Sequence, residues 1–252
     1  MNIGIVGYGK MGQRIHSLSE SQGCNVKFTL DIQDNPKGKG LTQERAQQVE
    51  AIIDFSSADE MPYTLERALK FKIPMVIGTT GWLDNAQQMD SLCKESDTPI
   101  LYGTNFSLGV QLFAKLIYQA GKLFGKNSNF HSTLHEVHHT EKADAPSGTA
   151  LTLANQFLGG ADLADNKQVK TELPSSEKVD PDALYVTSQR LGSVFGEHQL
   201  RLNSPFDDIE ITHKARSRDA FAAGALQASH WAVKQDPGFY LLEDVIEEIA
   251  AG

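Results

Sequence analysis

Cysteine is nearly missing from this chain. Cys24 and Cys93 are the only two in 252 residues, and neither sits in a metal-ligand spacing. A disulfide framework and a cysteine-based zinc site are therefore not expected, and a reducing cytoplasmic setting is. Long apolar runs are missing too. No stretch approaches the roughly 18 apolar residues of a membrane span. The apolar start, Met1 to Gly7, is too short for a secretory signal and has no basic flank. Positive charge is in short supply. Lysine and arginine number 23 against 32 acidic residues, for a net charge of −9. That balance speaks against a nucleic-acid partner but leaves room for a local basic pocket holding a small anion. Hydrophobic residues at 40% and charged residues at 22% are ordinary globular values. The length suits one large domain or two smaller ones.

Glycine is well placed near the N terminus. Asn2 to Val6 is a short apolar run of the kind that forms a buried parallel strand. Gly7-Tyr8-Gly9-Lys10-Met11-Gly12 follows and fits G-x-G-x-x-G, after which Met11, Ile15 and Leu18 recur at helical spacing. In this order Gly7 permits the tight turn, Gly9 lets a pyrophosphate reach the backbone, and Gly12 lets helix and strand pack closely. The helix N terminus then offers its N–H groups to the phosphates.

A second strand, Val26 to Leu30, ends at Asp31, 19 residues past Gly12. That is where a dinucleotide fold places the carboxylate for the adenosine ribose. Ile32 follows, with no arginine for a 2′-phosphate, so NADH is favoured over NADPH. Lys37 and Lys39 in the next loop keep NADPH open.

Strand and helix patterns then alternate: Glu50–Phe55, Glu60–Phe71, Ile73–Ile77, Trp82–Ser96 and Pro99–Tyr102. This alternation predicts a doubly wound parallel sheet of α/β class, with ligands at the carboxyl ends of its strands. That edge carries Gly7 to Gly12, Asp31, Ser56, Gly78-Thr79-Thr80 and Gly103-Thr104-Asn105-Phe106.

Histidine is concentrated. Four of the eight histidines fall between His131 and His139, followed by Lys142, Asp144 and Pro146-Ser147-Gly148-Thr149. His135-Glu136-Val137-His138-His139 satisfies the zinc-hydrolase pattern H-E-x-x-H. That chemistry needs a helix, where residues i and i+4 lie ~6 Å apart. On a strand, four steps carry them about 13 Å apart. The preceding Phe130-His131-Ser132-Thr133 are poor helix formers, and no third ligand follows before Pro146, so no metal is expected.

Read as a strand running into a loop, the stretch offers imidazoles at His138 and His139, an ammonium at Lys142, and a helix N terminus capped by Ser147 and opened by Gly148 and Thr149. Such a set suits a small dicarboxylate undergoing proton transfer.

Leu108 to Phe124 reads as a helix. Leu184–Arg190, His198–Asn203 and Asp208–Lys214 read as antiparallel strands, with His198 and His213 as structural strand residues. Asn155 to Asp182 is irregular, with Lys167, Lys170 and Lys178 as surface charges. Arg218–Lys234 and Leu241–Ile249 read as helices returning to the first domain. The expected organisation is a discontinuous dinucleotide-binding domain, 1–106 and 216–252. A smaller α+β substrate and oligomerisation domain, 107–215, carries a mostly antiparallel sheet.

The run from Glu136 to Leu151, with Asp144-Ala145-Pro146-Ser147-Gly148-Thr149-Ala150 inside it, closely resembles the signature of the 4-hydroxy-tetrahydrodipicolinate reductase (dihydrodipicolinate reductase) family of bacterial lysine biosynthesis. Gly7 to Gly12, Gly78 to Gly81, Asn105 to Val110 and Phe221 to Leu226 extend the likeness over most of the chain. The resemblance implies that His138 gives or takes a proton and Lys142 donates one. It implies that His139, Gly148 and Thr149 bind substrate, and that Gly7, Tyr8, Gly9, Lys10, Met11, Gly12, Asp31, Gly78, Thr79, Thr80, Gly103, Thr104, Asn105 and Phe106 bind NADH or NADPH. It also implies reduction of a cyclic conjugated imine by hydride and proton, and a homotetramer. The chain departs from the family at Phe195, where a proline is usual before Gly196, which puts the shape of that turn in doubt. Two other readings compete: a zinc hydrolase on His135 and His139, and a nucleotide-binding regulator without turnover.

Overall fold

A computed structural model describes residues 1–83, 86–163, 168–172, 180 and 183–251, without the side chains of 86 and 87. Lys167 and Lys178 lie outside these residues, whereas Lys170 pairs with Asp180 at 2.7 Å. Among the described residues no helix is long and apolar enough to cross a membrane. The chain divides into two compact units, Met1–Leu108 with Arg218–Gly252, and Gly109–Ser217.

Unit 1 alternates strands and helices: β1 (Asn2–Val6), α1 (Lys10–Ser19), β2 (Asn25–Leu30), α2 (Gln43–Ala46), β3 (Ala51–Asp54), α3 (Met61–Phe71), β4 (Met75–Ile77), α4 (Ala86–Glu95) and β5 (Pro99–Tyr102). The strands are short and apolar, and β1, β3, β4 and β5 are buried along nearly all their length, as strands covered on both faces must be. After unit 2, the chain returns to unit 1 through α7 (Asp219–Ala232), β11 (Gly238–Leu241) and α8 (Leu242–Ala251). The sheet order is β11-β5-β4-β3-β1-β2, all parallel. Ile3, Ile5, Ile53 and Leu101 face Ala222, Ala225 and Ile246 of α7 and α8. Val6, Ile52, Met75 and Ile100 form the opposite core with Leu65 and Ala68 of α3.

Strand β11 was not expected. Its four residues sit between the Asp236-Pro237-Gly238 turn and a helix, too short for a period to register. The structure adds it to the sheet edge beside β5.

Unit 2 contains α5 (Leu108–Phe124, from its second residue), β6 (His131–His138), α6 (Gly148–Gly160), β7 (Gln168–Lys170), β8 (Ala183–Arg190), β9 (Glu197–Asn203) and β10 (Asp208–Lys214). The sheet order is β10-β9-β6-β8-β7. Pairs β10–β9 and β9–β6 are antiparallel, whereas β6–β8 and β7–β8 are parallel. The sheet is thus mixed rather than mostly antiparallel. Between β6 and β8 the chain passes through α6, and such a crossover sets the two strands parallel. The core joins Phe113 and Ile117 of α5, Leu153 and Phe157 of α6, and Leu134 and Leu200 of the sheet.

Candidate active site

The G-x-G-x-x-G loop links β1 to α1 as its spacing requires. Gly7 has φ +83°, and a Cβ there would meet the Phe55 backbone at 2.3 Å. A Cβ on Gly12 would come within 2.1 Å of the Gly7 carbonyl, which is the close helix–strand approach. At Gly9 a Cβ would meet nothing within 4 Å, so the backbone lies open to a ligand. Gly7 and Gly9 border a cavity of about 280 Å³ together with Asp31, Ile32, Ser57 and Glu60. Open backbone at a helix N terminus and a carboxylate at the end of β2 fit a dinucleotide. Asp31 Oδ1 accepts from Ile32 N at 2.9 Å, and Ile32 is 64% exposed. Lys10 is exposed, and Met11 and Tyr8 pack partly against the core.

The loops after β4 and β5 lie on the same sheet edge, because every strand is parallel. Thr80 and Thr104 are exposed there and Asn105 is half-buried, with its Oδ1 accepting from Ser107 N. Gly78 is pressed on the Phe55 ring and Gly103 on Leu242, so neither has room for a side chain. Two expected cofactor residues have side chains committed elsewhere. Phe106 is 2% exposed and packs edge-on against Phe55. The Thr79 hydroxyl donates to Asp54 Oδ1 at 2.8 Å. Only their backbones remain for a ligand.

Asp54 was missed by sequence reasoning. It is fully buried at the end of β3, and Oδ1 also accepts from Ser56 N and Ser56 Oγ. Burial pushes its pKa up, against the hydrogen bonds from Ser56 and Thr79. Its carboxyl ties the β3 loop to the β4 loop.

In unit 2 the histidine-rich stretch is strand β6 followed by a turn. Period-2 alternation sends Leu134, Glu136 and His138 to the buried face. His135 falls on the other parity, with its Nδ1 2.8 Å from Thr187 Oγ1, and His139 lies just past the end of the strand. The helix that H-E-x-x-H chemistry needs is not formed here.

The buried face carries a cluster that the motif did not announce. Glu136 is fully buried on the central strand, with Ser188 of β8 and His198 of β9 as its cross-strand neighbours. Its Oε1 accepts from Ser147 N at 3.0 Å and from Arg190 Nη2 at 3.3 Å. Its Oε2 lies 3.1 Å from His138 Nδ1 and 3.9 Å from His198 Nε2. The His138 and His198 rings meet edge to face at 5.2 Å.

Burial alone would raise the Glu136 pKa. Hydrogen bonds from Ser147 and Ser188 and the charge of His138 outweigh it and hold the group below the usual carboxylate range. Burial lowers the His138 pKa, Glu136 opposes it, and Lys142, Arg190 and His139 add to the lowering. His198 is pushed down to about 4, first by burial and then by His138. Expected as a structural residue, it is buried on β9 but stands inside this cluster. Ligand atoms of Glu136, His138 and His198 all lie within 4.8 Å of one another, a set able to hold a metal ion. The guanidinium of Arg190 on the same carboxylate sets a fixed positive charge against one.

Lys142 follows in the turn, its Nζ 2.7 Å from Asp144 Oδ1, and that ammonium holds the Asp144 carboxyl below its usual range. Arg190 Nε donates to the Lys142 carbonyl at 3.2 Å, and Nη2 donates to the Asp144 carbonyl. Helix α6 begins where expected: Ser147 caps it by accepting from Ala150 N at 3.1 Å. Gly148 has open space around it. A histidine, an ammonium and a capped helix N terminus thus follow one another at the end of β6.

Models of the dihydrodipicolinate reductase N terminus and C terminus match residues 1–106 and 109–246. The chain belongs to the dihydrodipicolinate reductase family. These proteins are nicotinamide-dinucleotide-dependent oxidoreductases of lysine biosynthesis. A 4-hydroxy-tetrahydrodipicolinate reductase from Christiangramia forsetii is 34% identical over 249 residues, covering 99% of both chains. Another from Sulfurimonas denitrificans is 39% identical over 226 residues, covering 88% of this chain and 87% of its own. A dipicolinate-bound dihydrodipicolinate reductase from Paenisporosarcina sp. TG-14 shares the fold with a TM-score of 0.77 at 21% identity, covering 97% of this chain and 99% of its own.

Proposed function

We propose that the chain reduces 4-hydroxy-tetrahydrodipicolinate, through its dehydrated conjugated imine, to tetrahydrodipicolinate. The observation that carries this reading is the order His138, Lys142, Ser147-Gly148-Thr149 at one strand end, in a chain whose first unit holds an open glycine cradle. The nicotinamide, when bound, supplies a hydride. Gly7, Gly9, Gly12 and the first turn of α1 hold its pyrophosphate, and Asp31 takes the ribose hydroxyls. Thr80, Thr104, Asn105 and the backbones of Gly78, Thr79, Gly103 and Phe106 complete that edge.

In unit 2 the N–H groups of Gly148 and Thr149 and the imidazole of His139 bind substrate carboxylate. Hydride addition builds electron density on a molecule that already carries two carboxylates, and the Lys142 ammonium and helix N terminus stabilise it. Lys142 delivers the proton, and His138 gives or takes one at its free nitrogen.

The cofactor we assign is NADH. Asp31 and Glu60 border the same cavity, and Glu60 Oε2 accepts from Lys37 N at 2.7 Å. Two carboxylates beside an exposed isoleucine repel a 2′-phosphate and offer it no guanidinium. A homotetramer in the cytoplasm is the setting the reading carries, and sedimentation of the purified protein gives the assembly.

The test is oxidation of NADH and NADPH, followed separately, with freshly prepared 4-hydroxy-tetrahydrodipicolinate. Turnover with kcat/KM favouring NADH by about tenfold or more is expected. No oxidation of either overturns the function. A tenfold preference for NADPH overturns the reading of Asp31.

A further inference from the structure

Glutamate at position 136 is costly where it stands. The inward positions of β6 read Leu134, Glu136, His138, and a core strand would carry valine or leucine in the middle. A carboxylate taken wholly out of water is costly, and an apolar residue would serve packing as well. Here Oε1 is hydrogen-bonded, while Oε2 meets the His138 and His198 rings as close contacts without a formed hydrogen bond. Its five neighbours come from four segments. Ser147 belongs to the N-cap of α6, Ser188 and Arg190 to β8, His138 to β6 itself and His198 to β9. Arg190 in turn reaches the carbonyls of Lys142 and Asp144. One carboxylate therefore sits at the junction of the histidine, the lysine loop and the anion-facing helix.

The atom that faces it matters most. His138 presents Nδ1, not Nε2, to Glu136 Oε2 at 3.1 Å. The two atoms make a close ionic contact without a formed hydrogen bond. A nitrogen lone pair facing an ionised carboxylate is repelled where an N–H is attracted, so the favoured neutral imidazole carries its proton on Nδ1. Nε2 is then the lone-pair nitrogen. It faces Gly196, where even a Cβ would come within 3.0 Å of it, so glycine keeps that edge of the ring clear.

We propose that Glu136 is a positioning residue that fixes the Nδ1–H tautomer of His138, makes Nε2 the proton-exchanging atom, and through Arg190 and Ser147 locks the Lys142 loop and the α6 N terminus to the same strand. The role of His138 in proton exchange rests on the reductase reading. The tautomer is a property of the folded protein and does not depend on turnover.

The test is nitrogen NMR of the protein labelled with ¹⁵N-histidine, with His138 assigned by loss of its signals in His138→Asn. In the unsubstituted protein at neutral pH, Nδ1 is expected protonated and Nε2 bare. In Glu136→Gln the amide can accept or donate, the tautomer preference weakens, and kcat falls roughly 100-fold. Cofactor binding is unchanged, because the cradle is in unit 1. A proton on Nε2 of His138 in the unsubstituted protein overturns the proposal. So does a Glu136→Gln variant that keeps both the tautomer and the turnover. If that variant fails to fold, the spectrum of the unsubstituted protein decides alone. An Nδ1–H tautomer in a protein that turns over no substrate supports the positioning and overturns the reductase reading instead.

Discussion

Replacing Lys142 with alanine is expected to lower kcat roughly 10²- to 10⁴-fold while the dissociation constant of the nicotinamide cofactor stays within about twofold. The size follows from what is removed. In the proposed role the ammonium donates a proton and sets a positive charge beside a substrate of two carboxylates; Asp144 Oδ1 lies 2.7 Å from it. The selectivity follows from where it is removed. Lys142 lies in unit 2, and the glycine cradle and Asp31 lie in unit 1. Lys142→Arg separates the two contributions. A guanidinium keeps the charge but does not surrender a proton near neutral pH. Its KM should stay close to that of the unsubstituted enzyme while kcat remains low. Steady-state kinetics with fluorescence titration of the cofactor checks both variants. Equal loss of turnover and cofactor binding in Lys142→Ala would mean that Lys142 does not act on the substrate.

Acid is expected to weaken unit 2 well before the carboxylates titrate. His198 is neutral in the fold, with its pKa pushed down to about 4 by burial and by His138. In the unfolded chain it titrates near 6.5. Between those values the unfolded chain binds the extra proton, so stability is fully present above about pH 6.5 and falls as the pH drops toward 4. The loss from this residue alone reaches about 3 kcal/mol, a large part of a domain's net stability. His138 and His213 are also lowered, first by burial, and steepen the loss. Glu136 acts at lower pH, because its pKa is depressed. Urea unfolding across this interval gives the slope. His198→Gln, neutral throughout, should flatten it by about the same amount. A variant that is as acid-sensitive as the parent would show that His198 is not held neutral.

The parallel fold of unit 1 was legible because its signals are local. Short apolar runs ending in glycine and helices with one apolar face each announce themselves within a dozen residues. The parallel sheet then follows from the alternation. The place of Asp31 just past the end of β2 was legible for the same reason, as a fixed count from Gly12. Unit 2 was less so. Its longer strands were found, but β7 lies in the stretch read as irregular, and whether β8 runs parallel or antiparallel to β6 is settled by pairing across 52 positions, as between Thr133 and Tyr185. The candidate histidine and lysine, His138 and Lys142, were visible as a dense stretch. Even the inward direction of Glu136 is implied by its parity with Leu134. What the pattern does not hold is that His198, 62 positions later, stands opposite Glu136. Nor does it hold that Arg190 closes over the Lys142 turn. For Phe106 and Thr79 the sequence did not show where the side chains go. Both sit in loops at the ligand edge, yet packing against Phe55 and a hydrogen bond to Asp54 take their side chains inward.

Transfer of hydride to the cyclic imine is the central claim, and the fate of a labelled hydrogen tests it most directly. The protein is given freshly prepared 4-hydroxy-tetrahydrodipicolinate and NADH deuterated at the transferable position of the nicotinamide, and the product is analysed by mass spectrometry. Tetrahydrodipicolinate carrying one deuterium, formed in step with NADH consumption, is the predicted result. Deuterated NADH left intact, or consumed without deuterium appearing in tetrahydrodipicolinate, would contradict it.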